Sequence, residues 1–386
     1  MRKKKLLILN SFYSPTVIGG AEISTQLLAE ALTKYYEVYV LATGAQRRKI
    51  EVDHINGVTV CRIPCLNIYW PGDKKDRNIL AKLIWHLFNV CNPIQKKVLE
   101  NIIKRINPDI IHTQNLMGLG TYIWGIANKY SIPVVHTLRD YALFQPVSNK
   151  YINKIIEKIN RKRSGQARAV VGISDYILNQ HLNRGFFKDS FSTSIHNVVK
   201  SERYPKKIRS KGEPLIIGYF GQLEKNKGVE LLFKVISELD ASIVKEVIIC
   251  GTGKEETNLK IQAKNDPRII FKGKVSHQQV QKIMAQVDLT IVPSIWEEPF
   301  GRVIIESYAQ GTPVIASNIG GIPEVIYKES YLFNPSNSKE LKDKIIDFYH
   351  LDRKDLEREI EGLVNYSQRF RDNVPHYIQV YNRFSS

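Results

Sequence analysis

Short apolar runs bounded by turn residues alternate along this chain with longer segments of helical spacing, and they do so in two successive sets. Leu6 to Leu9 reads as a buried strand, followed by a loop containing Gly19-Gly20. A helix from Ala21 to Leu32 comes next, with Ile23, Leu27, Leu28 and Leu32 on one side. Further strands are predicted at Glu37–Ala42, Asp109–His112, Pro133–Thr137, Ala169–Gly172 and Phe191–Ile195. The run His54–Ile63 alternates around Asn56-Gly57 and suggests a turn leading into a strand. Ile152–Arg163 reads as a basic helix, and Ser174-Asp175 caps the one after it. Lys200–Pro214 is polar, basic and broken by two prolines, which predicts a linker.

The second set starts with the strand Leu215–Phe220 and continues with strands at Glu246–Cys250, Arg268–Phe271, Leu289–Val292 and Tyr331–Phe333. Helices are expected at Ser276–Gln286 and across 337–370, and residues 372–384 form an amphipathic end. Strand–helix alternation of this kind predicts α/β domains with parallel sheets.

One helical run stands apart. Ile79 to Cys91 carries Leu83, Ile84, Trp85, Leu87 and Phe88, with Lys74, Lys75, Arg77, Lys82, Lys96 and Lys97 flanking or interrupting it. Such a run fits an interfacial helix, but a core helix with lysines reaching out to solvent is the expectation adopted.

A length of 386 residues suits two domains. Cys61, Cys65, Cys91 and Cys250 are too few for a disulfide framework and lack paired metal spacing, so reduced, mostly buried thiols of a cytosolic protein are expected. The basic start leads into only four apolar residues, too few for a signal-peptide core, and no run is long enough to span a membrane. Charge is uneven: residues 1–200 hold 29 Lys+Arg against 13 Asp+Glu, and residues 201–386 hold 27 against 25. A basic N-terminal half favours anionic partners. An anionic membrane surface is the reading adopted; no recognition motif accompanies the charge, so nucleic acid is not expected.

The chemistry concentrates in Pro293-Ser294-Ile295-Trp296-Glu297-Glu298-Pro299-Phe300-Gly301-Arg302-Val303-Ile304-Ile305-Glu306. Pro299 stands where a helix should begin, and Gly301 leaves room for a ligand close to the backbone. The amides of Phe300 to Val303 would then face a diphosphate at the positive end of the helix dipole. Glu298 in the loop and Glu306 two turns on would hold groups on either side of it. This run, with Gly311-Thr312-Pro313-Val314-Ile315-Ala316-Ser317 and Gly320-Gly321-Ile322-Pro323-Glu324, resembles the signature of the family 4 retaining glycosyltransferases.

The resemblance implies the GT-B fold: two Rossmann-like, doubly wound domains facing a cleft, with a C-terminal helix crossing back to the first. Residues 1–200 would be the acceptor-binding domain, 201–370 the nucleotide-sugar-binding domain, and 371–386 the returning helix. It further implies retaining, hexosyl-type transfer from a nucleoside-diphosphate sugar, with UDP or GDP as the nucleotide, and no cofactor. The acceptor would be a polysaccharide or lipid-linked glycan at the cytoplasmic face of a membrane. Because no Asp-x-Asp pair is present, transfer without a metal is expected. In the family's phosphate loop an Arg follows the first Gly and a Lys precedes the last. In Gly221-Gln222-Leu223-Glu224-Lys225-Asn226-Lys227-Gly228, Lys227 matches and Gln222 replaces the Arg.

The nucleotide-sugar contacts so implied are Gly19, Gly20, Gln222, Lys227, Gly251, Gly253, Glu298, Phe300, Gly301, Arg302, Val303 and Glu306. Gly251-Thr252-Gly253 is only half of a dinucleotide fingerprint, with Glu256 at the third glycine position, and a backbone contact to the base fits it better. Catalytic roles fall to Glu298, Lys227, Arg139 and Asp140. Glu298 would orient the donor sugar rather than form a covalent bond to it. Arg139 occupies a place where many members carry a His that contacts that sugar, and points to a different donor or an anionic group nearby. Asp140 is a candidate acceptor-side base; a loop ion pair is the alternative for both. His112 fits a structural role or an acceptor contact. A nucleotide-sugar epimerase on the same frame, and a non-catalytic basic protein binding anionic lipid or nucleic acid, are the alternative functions.

Overall fold

The computed structural model describes residues 2–46, 48–73, 75 and 77–384 and shows two compact units. The first takes in the chain up to Val198 together with the stretch from Asp372; the second is Val199–Arg371.

The first unit runs β1 (Lys5–Leu9), α1 (Gly20–Leu32), β2 (Glu37–Gly44), β3 (Glu51–Ile55), β4 (Val58–Pro64), α2 (Ile79–Val90), α3 (Pro93–Ile106), β5 (Ile110–Thr113), α4 (Ile123–Lys129), β6 (Val134–Leu138), α5 (Lys150–Ser164), β7 (Ala169–Gly172), α6 (Asp175–Leu182) and β8 (Phe191–Ser194). The eight strands among its described residues lie in the order β3-β4-β2-β1-β5-β6-β7-β8. Neighbours are parallel except β3 and β4, an antiparallel hairpin turned at Asn56-Gly57. The chain winds outward from β1 to one edge and then restarts at β5 toward the other. Its direction therefore reverses between β1 and β5, and open sheets bind ligands off the carboxyl ends of strands at such a reversal. Strands β5, β6 and β7 are buried at every position, as expected where helices cover both faces of a parallel sheet.

The second unit runs β9 (Leu215–Phe220), α7 (Val229–Ser237), β10 (Val244–Cys250), α8 (Glu256–Gln262), β11 (Ile269–Gly273), α9 (His277–Gln286), β12 (Leu289–Val292), α10 (Arg302–Ala309), β13 (Val314–Ser317), β14 (Leu332–Phe333), α11 (Ser338–Tyr349) and α12 (Arg353–Ser367). Six parallel strands lie in the order β11-β10-β9-β12-β13-β14, so the reversal falls between β9 and β12. The last helix, α13 (Val374–Asn382), returns to the core of the first unit, where Val374, Tyr377, Val380 and Tyr381 are buried. Its Tyr381 hydroxyl lies 2.7 Å from His112 Nδ1, and Tyr377 lies 3.1 Å from Thr137 Oγ1.

Three expectations change. The buried face of α1 is Glu22, Ser24, Thr25, Leu28, Ala29 and Leu32, rotated away from Ile23 and Leu27 because Glu22 and Thr25 turn inward to Gly19 N and Gln114. Helix α2 is not a core helix: only Trp85 and Val90 are buried, while Ile79, Leu80, Ile84, Leu87 and Phe88 are exposed. Lys75, Lys82, Lys96 and Lys97 around it are exposed too; Lys74 lies outside the described residues. The supposed linker is fastened down. Lys206 Nζ donates to Val287 O and Thr312 Oγ1 at 2.7 and 2.6 Å, and Arg209 donates to Phe348 O and Tyr349 O.

Candidate active site

The reversal in the second unit brings together the loops after β9 and β12. The loop after β9 closes with a short 3-10 turn, Lys225–Lys227, and Gly228. Gly228 has φ +68°, and a Cβ there would lie 2.0 Å from Pro293 O, so only glycine lets the two loops approach this closely. Ile295 N donates to Asn226 O at 3.0 Å and ties them together. The contact delivers Lys227 to Glu298: its ammonium is hydrogen-bonded to Glu298 Oε1, which also accepts from Ser294 Oγ at 3.0 Å. Lys227 Nζ also stands 5.4 Å from the centre of the Trp296 ring. Below this pair, burial, and then the Glu298 carboxylate, hold the Tyr219 phenol well above its ordinary pKa. Tyr219 donates to Gln222 O at 2.7 Å, bracing the loop after β9 at the position where Gln222 stands in place of an Arg.

Helix α10 begins at Arg302, three residues after Pro299, with Gly301 as N-cap at φ +89°. Pro299 therefore shapes the loop ahead of the helix instead of its first turn. Phe300 turns its ring into the interior, 6.2 Å from that of Phe370, leaving its backbone on the loop side. Val303 packs onto the small cluster around Phe220 and Met284. Arg302 Nε donates to Glu306 Oε1 at 2.7 Å across one turn, so the candidate phosphate and ribose ligands are held as a pair. The loop is pinned from behind, where Gly321 N donates to Glu298 O at 2.7 Å.

Gly251 and Gly253 lie on a seam between loops. Gly221 N donates to Cys250 O and Leu223 N to Thr252 O, each at 3.0 Å, and a Cβ on Gly253 would lie 2.2 Å from Leu223 O. Both glycines thus have a packing reason beside any ligand contact. Gln222 itself is exposed.

In the first unit, the reversal between β1 and β5 gathers a second polar group. Arg139, just after β6, donates through Nε to Gln114 Oε1 at 2.5 Å and through Nη1 to Asn197 Oδ1 at 2.6 Å. Thr25 of α1 donates to the same Gln114 oxygen at 2.6 Å. Glu22 closes the start of α1 by accepting from Gly19 N at 2.8 Å, and Gly20 opens the helix. Burial raises the Glu22 pKa, partly offset by backbone hydrogen bonds and by Arg139. Asp140 accepts from Asn115 Nδ2 at 3.1 Å and Ala142 N at 2.8 Å, and burial raises its pKa as well. His112 lies within β5, its ring fully buried between Thr137 and Tyr381, and burial, then the Arg139 charge, lowers its pKa to about 3. It is a structural histidine.

Residues 18–203 match the family model for Glycosyltransferase Family 4, and residues 200–362 match that for Glycosyl transferases group 1. A relative encoded in a cps region of Klebsiella pneumoniae, an uncharacterized 42.6 kDa protein, is 35% identical over 83% of this chain and 87% of its own length. The chain belongs to the family 4 glycosyltransferases. This glycosyltransferase has the GT-B fold. Sucrose-phosphate synthase of Thermosynechococcus elongatus aligns at TM-score 0.77 with 18% identity over 99% of both chains. HepE of Anabaena, in complex with UDP and glucose, aligns at TM-score 0.69 with 18% identity over 99% of this chain and 100% of that one.

In this glycosyltransferase the structure groups Lys227 with Glu298, and Arg302 with Glu306, inside the second unit. Arg139, Asp140, Gly19 and Gly20 belong to the first unit. Sequence reasoning gave no role to Ser294, Asn226, Gln114 or Asn197. Gln114 carried a readable signal: like Arg139, it is a polar residue directly after a fully buried strand, and β5 and β6 are sheet neighbours.

Proposed function

We propose that this glycosyltransferase moves a hexose from a UDP- or GDP-sugar to a polysaccharide or lipid-linked glycan at a membrane surface, retaining the anomeric configuration and using no divalent ion. The observation that supports this best is the Lys227–Glu298–Ser294 cluster at the β9/β12 reversal, beside the Arg302–Glu306 pair at the start of α10. Cations and a helix N-terminus gathered at one sheet edge suit a nucleoside diphosphate. Lys227 has three donors, so it can hold Glu298 and a phosphate oxygen together. As the sugar C1–O bond to the diphosphate breaks, negative charge grows on the departing phosphate, and Lys227, Arg302 and the α10 dipole stabilise it. The acceptor oxygen bonds to C1 on the face the diphosphate leaves, and its proton passes to the departing phosphate oxygen. Glu298 accepts from a hydroxyl of the sugar and orients it, and Glu306 accepts from the ribose.

In the first unit, Gly19 and Gly20 offer backbone to the ligand. Burial raises the proton affinity of Asp140, the direction that favours a base on the acceptor side. HepE, which shares the fold, was crystallised with UDP and glucose, in keeping with a uridine donor. The basic N-terminal half and the cps-region relative favour an anionic, surface-glycan setting.

The test is thermal unfolding with UDP, GDP, ADP and TDP and their sugars, in EDTA. A ligand that prefers the folded protein raises the midpoint. One nucleotide should do so, and Glu306→Ala should abolish the shift; an undiminished shift in that variant removes the ribose assignment. Turnover of the matching donor with and without acceptor then separates a transferase from an epimerase, and NMR of the product reads the anomer.

A further inference from the structure

Helix α2 leaves one face uncovered. Leu80, Ile84, Leu87, Phe88 and Cys91 recur at intervals of four, three, one and three residues, which places them on a single arc of the helix. All five are exposed, Leu80 by 65% and Phe88 by 51%. The opposite side is anchored: Trp85 is buried with its ring stacked on Tyr69, and its Nε1 donates to Tyr69 O at 2.8 Å. Asn78 caps the start of the helix by accepting from Ala81 N at 2.8 Å. This is a well-seated helix about 18 Å long with its apolar arc turned outward.

The neighbouring elements extend the patch and give it a sign. Helix α5 packs beside α2 and exposes Tyr151 and Ile155, one turn apart, among exposed Lys150, Lys154 and Lys158. Ile94 at the start of α3 is exposed next to Lys96 and Lys97. Helix α2 contains no acidic residue, and α3 and α5 contain one each, Glu100 and Glu157.

We propose that the α2 arc, with the basic flanks supplied by α3 and α5, docks this glycosyltransferase on an anionic lipid surface, with the helix lying in the plane of the interface. The proposal rests on the reading that the enzyme works beside a membrane, and it names the part of the chain that does so. Charge complementarity selects the occupant: a rim of lysines favours a surface dense in negative charge. A single convex helix face with aliphatic and aromatic side chains inserts into the headgroup–acyl boundary. No described helix is long and apolar enough to cross a membrane, so attachment through this arc would be peripheral.

The test is co-sedimentation of the full chain with vesicles of phosphatidylcholine alone or with phosphatidylglycerol, at low and high salt. The wild type should bind the anionic vesicles, less so at high salt. Leu80→Gln with Phe88→Gln should weaken binding about tenfold or more. Lys154→Glu with Lys158→Glu should do the same by removing the charge. Unaltered circular dichroism in both variants would show that the fold is intact. A wild type that ignores anionic vesicles overturns both the membrane reading and this surface. Wild-type binding that survives Leu80→Gln with Phe88→Gln overturns this surface alone. So does a dimer seen in sedimentation equilibrium that the same pair of substitutions dissolves, since a second copy would then own the face.

Discussion

Glu298→Gln removes one charge and preserves the shape of the side chain, so it separates holding the nucleotide from transferring the sugar. The carboxylate shares Oε1 between Lys227 and Ser294, with side chains 22% and 16% exposed for the lysine and glutamate. Two unit charges about 4 Å apart attract by about 4 kcal/mol at an effective dielectric constant of about 20. Withdrawing the pair from water offsets most of this, leaving a net contribution of about 1 kcal/mol. Glutamine still accepts from Ser294, so the folded state should lose about 1 kcal/mol, or about 2–4 °C in a unit of this size. The freed Lys227 should bind the diphosphate as well as before, or up to about tenfold tighter. Transfer should fall by about two to three orders of magnitude, the usual loss when one oriented polar group leaves a transition state.

Lys227→Met should do the reverse at the first step, weakening nucleotide binding by about 10- to 100-fold. Calorimetric titration with the nucleoside diphosphate and initial rates at saturating donor give the two quantities separately. If Glu298→Gln weakens nucleotide binding as much as Lys227→Met, with its transfer rate intact, the division of roles is wrong.

Gly228→Ala forces a left-handed φ on a residue with a side chain and drives its Cβ into Pro293 O, so the melting midpoint should fall by about 5–10 °C and the response to nucleotide should vanish. A normal midpoint would mean that the two loops are not locked together there. In the first unit, burial lowers the pKa of His112 to about 3 and of His181 to about 4. Between those values and about 6.5 only the unfolded chain takes up these protons. Their contribution is therefore complete above pH 6.5 and is lost as pH falls, at about 1.4 kcal/mol per pH unit for each. Denaturant midpoints at pH 7.0 and 5.5 should show this decline, and equal midpoints would contradict it.

Interior strand positions were legible because a strand covered on both faces must be apolar almost throughout, and few other segments meet that demand over about four to seven residues. The edge strand β8, Phe191-Ser192-Thr193-Ser194, carries no such signal. Periodicity was less informative where burial did not follow hydrophobicity. In α2 the apolar residues exceed what one contact can cover, and the core takes Trp85 while most of the others stay outside. Composition alone does not distinguish a wide apolar stripe that is buried from one left for a partner. In α1 the discrepancy has the opposite sign. Glu22 and Thr25 are drawn inward by Gly19 N and Gln114, and a scale that counts only apolar side chains points the helix the wrong way.

The same distinction explains which parts of the candidate site could be read. Lys227, Glu298, Arg302 and Glu306 lie in loops and helix starts adjoining β9 and β12, so a linear motif carries them. Arg139 is different, because its partners Gln114 and Asn197, and the Thr25 that holds Gln114, come from three distant points in the chain. Gln114 follows β5, Asn197 follows β8 and Thr25 sits on α1, and only the sheet order brings them together. At the position where many family members carry a histidine, arginine supplies five donors in a planar fork. Two of those nitrogens are spent on Gln114 and Asn197, which fix the plane and depth of the guanidinium. A histidine has only two ring nitrogens and could not span both partners while also facing a ligand. The substitution is therefore a change in how that corner of the first unit is built as well as a change in what it could offer a sugar. The buried Glu22 nearby, whose carboxylate Arg139 favours electrostatically, belongs to the same rearrangement.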